Sequence, residues 1–377
     1  MKTMTKNKAH LLHCISSLQV GGAEIVFRDL LQELGNTEFE HRVIYFHDGP
    51  VVARIRALGI PTYQITGLLC RYDPVFCWRL IKCIWQFWPD CIASHLWAAN
   101  VLATIIGWFF RISVVCVLHC HYTHLAASDE KKSRRHALRG LLERLITTKA
   151  PHLVAVSESV KKEYIAHFGN KLERITVIPN GIDQAYILRQ AETHPGILPK
   201  NDDHFIIGSV GRFIPRKNYA VLIKAFAQLH MSVPQLRLLI IGFGPEQEAL
   251  ERLIKALDVE RAVTLIVGQS AYGYYPFIDL FVQPSLSEGL SIALLEAMSF
   301  GICPIVTGRN HPVIKDQSNG MIIEPTKQAL VHGIKRLYED SALRKSYGRQ
   351  AKETVEESCT IAKMAQSYKA LFKQAQR

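Results

Sequence analysis

Apolar runs of strand length alternate with helix-patterned stretches along almost the whole chain. In the first half, residues 10–16, 42–46, 91–94, 112–118 and 153–157 read as strands, and helical patterns begin near Ala23, Pro74, Ala98 and Ser128. The second half repeats the rhythm, with strands at 205–211, 236–242, 262–268, 280–285 and 303–307. Helices are expected there at 217–230, 245–257, 291–299, 327–338 and 342–357. Strands that are apolar on both faces and alternate with helices imply parallel sheets covered on each side. The rhythm lapses over 181–204, where polar and turn residues take over. The expected architecture is therefore α/β, two doubly wound parallel-sheet domains facing across a cleft. Their bounds are 1–185 and 204–377, with 186–203 as linker. In such sheets ligands bind beyond the carboxyl ends of the strands.

A length of 377 residues suits two such domains, and 48% apolar with 21% charged residues excludes a disordered, collagenous or coiled-coil chain. The net charge of +12 is concentrated in residues 1–190, which hold 23 basic against 15 acidic side chains. That excess favours an anionic partner without choosing among nucleic acid, lipid and phosphorylated substrate. Nine cysteines, seven of them before residue 121 and none in a CxxC pair, fit reduced thiols in a cytosolic protein. The basic N-terminus lacks the apolar run of a signal peptide. Cys91–Phe110 carries no formal charge over 20 residues, yet Ser94, His95, Asn100 and Thr104 interrupt it. It reads as strand, turn and buried helix rather than a membrane span.

Four motifs carry chemistry. Gly21 and Gly22 follow the first strand and open a helix, where free backbone N–H groups suit a diphosphate. Gly211-Arg212-Phe213-Ile214-Pro215-Arg216-Lys217 ends another strand. There Arg212 and Lys217 can neutralise a departing diphosphate without a metal ion. Glu288-Gly289-Leu290-Ser291 leads into a helix holding Glu296, and eight helical residues span ~12 Å. Two carboxylates so placed can hold opposite ends of a nucleotide-linked sugar, with the amides of Gly289, Leu290 and Ser291 facing the phosphates between them. A carboxylate inside an apolar helix must be paired or bound, and a structural ion pair is the other reading of Glu296. The fourth motif, Val117 to His124, closes a strand. His119 at the strand end can orient a reacting hydroxyl. Cys116, His119, Cys120, His121 and His124 offer metal ligands as a rival reading, but neighbouring strand residues face opposite ways.

Taken together and in order, these segments resemble glycosyltransferase family 4. HCISSLQVGGAE, VIPNGID (177–183), VGRFIPRKN, EGLSIALLE and GICPIVT followed by VIKDQSNGMIIEP are similar to the family's motifs across nearly the whole chain. The resemblance implies the GT-B fold, two Rossmann-like domains, with residues from about 360 to 377 packing back on the first. It implies a retaining transferase, with no cofactor and no catalytic metal, that moves a sugar from a nucleoside-diphosphate donor. A UDP-sugar is favoured over a GDP-sugar. The acceptor, a glycan or lipid-linked molecule, would be held mainly by the N-terminal domain. By position, Gly22, Arg212 and Lys217 contact the diphosphate, Glu288 the donor sugar and Glu296 the ribose. His119 is the first-domain histidine, with His121 the alternative two residues on. Two departures stand out. Leu290-Ser291 replaces the family's Phe-Gly, and the path from Gly268 to Asp279 is short.

Residues 129–149 combine a basic cluster with leucines at helical spacing, and residues 75–88 interleave tryptophan with isolated basic residues. Both suit a first domain resting on an anionic membrane surface. The expected place is cytoplasmic, peripheral to the inner face of the plasma membrane, in surface polysaccharide, lipopolysaccharide or glycolipid assembly. A nucleotide-sugar epimerase of the same layout is the second enzyme reading. A non-catalytic basic protein that binds membrane or nucleic acid is the third, although no nucleic-acid-binding motif is present.

Overall fold

The computed structural model describes residues 8–67, 73–121, 134–169, 174–198, 203–308 and 311–376. The chain divides into two compact units, one running to Gly181 and resuming at Ile361, the other spanning Ile182–Thr360. Each is a parallel sheet between helical layers.

The strands of the first unit are β1 (Ala9–Ser17), β2 (Phe39–His47), β3 (Thr62–Gln64), β4 (Cys91–His95), β5 (Ser113–Leu118), β6 (His152–Ala155) and β7 (Thr176–Val177). They pair in the order β3-β2-β1-β4-β5-β6-β7, all parallel. Helices α1 (Gly22–Leu34), α2 (Val51–Arg56), α3 (Pro74–Phe87), α4 (Trp97–Phe110), α5 (Arg134–Lys149) and α6 (Glu158–Phe168) connect them. Strand β4 is buried throughout, as its apolar run requires. The expected helix start near Ser128 and the basic cluster at 131–133 lie outside the described residues. Within α5, Ile146 is buried, Leu142 and Leu145 are half-buried and Leu141 is exposed, so its apolar side serves mainly the core.

The second unit holds β8 (Phe205–Val210), β9 (Leu236–Gly242), β10 (Val263–Val267), β11 (Leu280–Gln283), β12 (Cys303–Thr307) and β13 (Met321–Ile323), in the order β10-β9-β8-β11-β12-β13. Its helices are α7 (Gln184–Thr193), α8 (Tyr219–His230), α9 (Gln247–Ala256), α10 (Ile292–Ser299), α11 (Lys327–Glu339) and α12 (Ser341–Ser358). The stretch read as linker thus contains α7. Asp183 caps it by accepting from the Tyr186 N–H, and Ile187 and Ala191 are its buried residues. Beyond it, the Gly196 N–H donates to the Gly273 carbonyl at 2.9 Å.

Helix α13 (Ile361–Ala375) returns to the first unit. Its face of Ile361, Met364, Ala365, Tyr368, Leu371 and Phe372 is buried, with the Phe372 ring 6.1 Å from that of Phe39. Lys369 and Lys373 both ion-pair with Glu38.

Four buried or half-buried histidines thread the first sheet. His13 and His41 share a hydrogen bond at 2.9 Å, as do His95 and His119 at 3.2 Å. Burial lowers His41 from 6.5 to about 4, opposed by a hydrogen bond to the Gly35 carbonyl. Burial also pushes His13 and His95 well below the ordinary range, reinforced by His41 and His95 for the first and by His119 for the second. A base depressed on folding leaves the unfolded chain binding more protons as pH falls, so stability is lost from about pH 6.5 down to about 4. The melting temperature is therefore expected to drop across that window. His41→Gln should flatten the drop, since it removes one of the depressed bases.

Candidate functional site

In both sheets the strand order reverses beside the first strand of the unit. That switch falls between β1 and β4 in the first and between β8 and β11 in the second. Loops leaving adjacent strands there diverge and open a crevice at the carboxyl edge. Both expected clusters lie at these edges, one in each unit.

In the second unit, the loop after β8 carries Arg212 and Lys217, and the loop after β11 carries Glu288. The first loop is shaped by glycine. Gly211 sits at φ +153°, and a Cβ on Gly242 would lie 1.9 Å from the Gly211 carbonyl oxygen. The Phe213 N–H donates to the Phe243 carbonyl at 2.8 Å, and the Phe213 ring is fully buried. This pins the chain on either side of Arg212, whose side chain stays exposed. A single 3-10 turn at Pro215–Lys217 follows, closed by Asn218 in the left-handed region at φ +56°.

The Leu286 N–H donates to the Arg216 carbonyl at 2.9 Å, which fastens the second loop to the first. Thr307 at the end of β12 braces it further by donating to the Ser285 carbonyl. The result is an ion pair of 2.8 Å between the Lys217 ammonium and the Glu288 carboxylate, each side chain only 12% exposed. Burial works to raise the Glu288 pKa. Lys217 foremost, then Arg216, with hydrogen bonds from Lys217 and Ser285, hold it below the usual carboxylate value. Glu288 is thus an anion across the physiological range. His311, on the loop after β12, is brought down to about 4 by burial, against the opposing influence of Glu288. Its Nε2 is buried and has no hydrogen-bond partner among the described residues.

Gly289, Leu290 and Ser291 are buried and lead into α10. Ser291 sits at φ −73° and ψ 124°, with no side-chain capping bond. The backbone at this position is one that serine adopts freely, so the replacement of glycine keeps the turn. The first amides of α10 have no intrahelical acceptor, and they carry the positive end of the helix dipole.

Glu296 is buried one face further along α10. The Tyr275 hydroxyl donates to its Oε2 at 2.7 Å, so its described partner is a phenol. Tyr275 stacks on Phe300 at 5.3 Å and belongs to the 3-10 segment Tyr272–Phe277. In the sequence that segment stands out only by its shortness.

In the first unit, Gly21 is the extended N-cap of α1, and a Cβ there would meet the Glu24 carboxylate. Gly22 is exposed. His119 lies just past β5, and burial lowers it to about 4, so its imidazole is neutral at pH 7. His121 instead pairs through Nδ1 with the Glu163 carboxylate. The structure therefore gives the two histidines different settings: His119 shares a hydrogen bond with another neutral imidazole, and His121 is held by a carboxylate. His124 of the rival metal reading lies outside the described residues. Cys116 interacts with Ser94 and Thr104. Among the described residues no group of three or more His, Cys, Asp or Glu side chains is arranged to hold a metal ion.

Comparison with known proteins matches residues 20–186 to "Glycosyltransferase Family 4" and residues 190–354 to "Glycosyl transferases group 1". The chain is 27% identical over 354 residues to the N-acetylgalactosamine-N,N'-diacetylbacillosaminyl-diphospho-undecaprenol 4-alpha-N-acetylgalactosaminyltransferase of Campylobacter jejuni. That match covers 90% of this chain and 92% of the relative. It is 24% identical over 364 residues to the putative glycosyltransferase EpsF of Bacillus subtilis, covering 94% and 92%. Among solved structures, Anabaena HepE in complex with UDP-glucose superposes with a TM-score of 0.81 at 20% identity, covering 97% of this chain and 99% of that one. With one family match over each half, in the family's order, the chain belongs to glycosyltransferase family 4 and is a glycosyltransferase of the GT-B type.

Proposed function

We propose that this chain is a retaining transferase that takes a sugar from a nucleoside-diphosphate donor, a UDP-sugar in preference to a GDP-sugar, and passes it to a glycan or lipid-linked acceptor. The observation that carries this reading is the Lys217–Glu288 pair, its glutamate on the loop that leads into α10, a helix whose N-terminus has no side-chain cap. An ammonium, the exposed guanidinium of Arg212 and a helix N-terminus suit a diphosphate, and an anion fixed among them suits sugar hydroxyls. Lys217 turns from Glu288 towards the phosphates as the donor binds. Glu288 keeps its charge through Arg216 and receives hydroxyl hydrogen bonds from the sugar. Glu296, positioned by Tyr275, accepts from the ribose hydroxyls. As the bond to the anomeric carbon breaks, negative charge collects on the leaving diphosphate. Arg212, Lys217 and the α10 amides stabilise it in place, so no catalytic metal and no cofactor is required. The leaving oxygen takes the acceptor proton on the same face of the sugar. In the first unit, Gly21 and Gly22 suit a diphosphate, and the neutral His119 orients the acceptor hydroxyl by donating to its oxygen, which leaves the hydroxyl hydrogen for the leaving group. The Campylobacter relative, named for a diphospho-undecaprenol substrate, and the UDP-glucose complex of the Anabaena structure support this choice of acceptor and donor. The setting is cytoplasmic assembly of a surface polysaccharide, lipopolysaccharide or glycolipid.

A thermal-shift panel of UDP, GDP, ADP and their sugar conjugates tests the donor assignment. A ligand that binds only the folded chain raises its melting temperature. One base is expected to do so, UDP first, and Arg212→Ala should shrink that shift with little change in the unliganded melt. No shift with any nucleotide, or an undiminished one in Arg212→Ala, contradicts the assignment.

A further inference from the structure

Tryptophan is large and normally mostly buried, yet four of the five tryptophans in this chain are more than half exposed. All four lie on one pair of helices. On α3 the exposed large apolar side chains are Trp78, Ile81 and Trp85, with Trp88 just beyond its end. Their spacing of three, four and three residues places them along one stripe. On α4 they are Ile105, Trp108 and Phe109, the last 73% exposed. The sequence had suggested a wholly buried helix there. Instead its inner side, Ala99, Ala103 and Ile106, is buried and its outer side is open. Trp88 and Phe110 touch at 6.3 Å between ring centroids, so the two stripes adjoin. By contrast Trp97, the fifth tryptophan, is tied down through its indole N–H to Glu143 at 2.6 Å.

Every charged residue on the two helices is basic. Neither α3 nor α4 contains an aspartate or glutamate. The Lys82 ammonium lies 5.1 Å from the Trp78 ring centre, and Lys149 lies 5.5 Å from that of Trp108. Arg111 is exposed directly after α4. Contiguous exposed aromatic surface calls for an occupant. A second copy docking through the same face would set this basic rim against itself with no acidic partner on either helix. A bilayer with anionic headgroups supplies both an apolar phase for the rings and negative charge for the rim. Each helix has 14 residues, about 21 Å, which is too short to cross a hydrocarbon core of about 30 Å. Among the described residues no helix is long and apolar enough to do so.

We propose that the outer faces of α3 and α4 form a docking surface for an anionic lipid bilayer. The tryptophan and phenylalanine rings seat at the boundary of headgroups and acyl chains, and Lys82, Arg111 and Lys149 lie against lipid phosphates. This inference stands apart from the donor assignment, because it concerns a surface of the first unit and needs no turnover to test.

The full chain is mixed with vesicles of phosphatidylcholine alone, or of phosphatidylcholine and phosphatidylglycerol in equal parts, some carrying bromine-labelled acyl chains. The protein is expected to sediment with the anionic vesicles only, with its tryptophan emission blue-shifted and quenched by the bromine. The double variant Trp85→Ser, Trp108→Ser should bind them about tenfold more weakly or less, while its melting shift with nucleotide matches wild type. Equal sedimentation with neutral vesicles, sedimentation without quenching, or self-association in place of lipid binding would each overturn the proposal. Because quenching is read on the wild-type chain, the outcome does not depend on the variant folding.

Discussion

Glu288→Gln is expected to lower turnover about a thousandfold while leaving the fold in place. The substitution keeps the size and one acceptor of the side chain, removes its charge and turns the other oxygen into an NH2 donor. In the proposed complex that charge faces the sugar, on which positive charge develops as the bond breaks. It therefore matters more in the transition state than in the bound donor. The loss should then appear in turnover, with the donor KM altered far less. The unliganded variant should melt lower, because Lys217 is left half-sequestered without its carboxylate. Nucleotide diphosphate should restore part of that loss by giving Lys217 a new partner. Turnover within tenfold of wild type would remove Glu288 from the site.

Lys217→Met produces a different signature. Methionine fills a similar volume but leaves the buried Glu288 carboxylate with Arg216 as its remaining cation. Breaking one side of a buried pair costs about 3–5 kcal/mol. Without Lys217, burial is the dominant influence, so the Glu288 pKa should rise above its unfolded value of 4.5. The sign follows from linkage. In wild type the lowered pKa makes the contribution of Glu288 present above 4.5 and lost as pH falls through the folded value. In the variant a raised pKa makes the folded state take up a proton first. Its stability deficit should then be largest near pH 8 and shrink towards pH 5. A deficit that does not change with pH would mean that Lys217 serves packing rather than the charge of Glu288. Donor affinity should fall as well, since the ammonium facing the diphosphate is gone.

The central strands were legible because strands covered on both faces can be built from little but apolar residues, as Ser113–Leu118 and Phe205–Val210 are. The short edge strands Thr62–Gln64, Thr176–Val177 and Met321–Ile323 were not, since two or three residues carry no period. Helix α7 passed for linker because only Ile187 and Ala191 face its core. The outer side of α4 misled for the opposite reason. An uncharged sequence looks buried all round, and nothing in it distinguishes the side that meets the sheet from the side that carries Trp108 and Phe109. At the site, the residue types at Arg212, Lys217, Glu288 and Glu296 could be picked out from motif and spacing. Their partners could not. Lys217 and Glu288 meet only because β8 and β11, far apart in the chain, are neighbours in the sheet. Tyr275 reaches Glu296 from a segment that stands out in the sequence only by its shortness. His311, beside Glu288, lay in no motif at all.

The central claim is that the loops after β8 and β11 hold a nucleoside diphosphate on fixed positive groups. The most direct measurement is a crystal structure of the full chain with the nucleotide sugar that raises its melting temperature most, grown without divalent cations. The account predicts the diphosphate within hydrogen-bond distance of Lys217, Arg212 and the first amides of α10, with the sugar against Glu288 and the ribose against Glu296. A donor seated away from those two loops would contradict it.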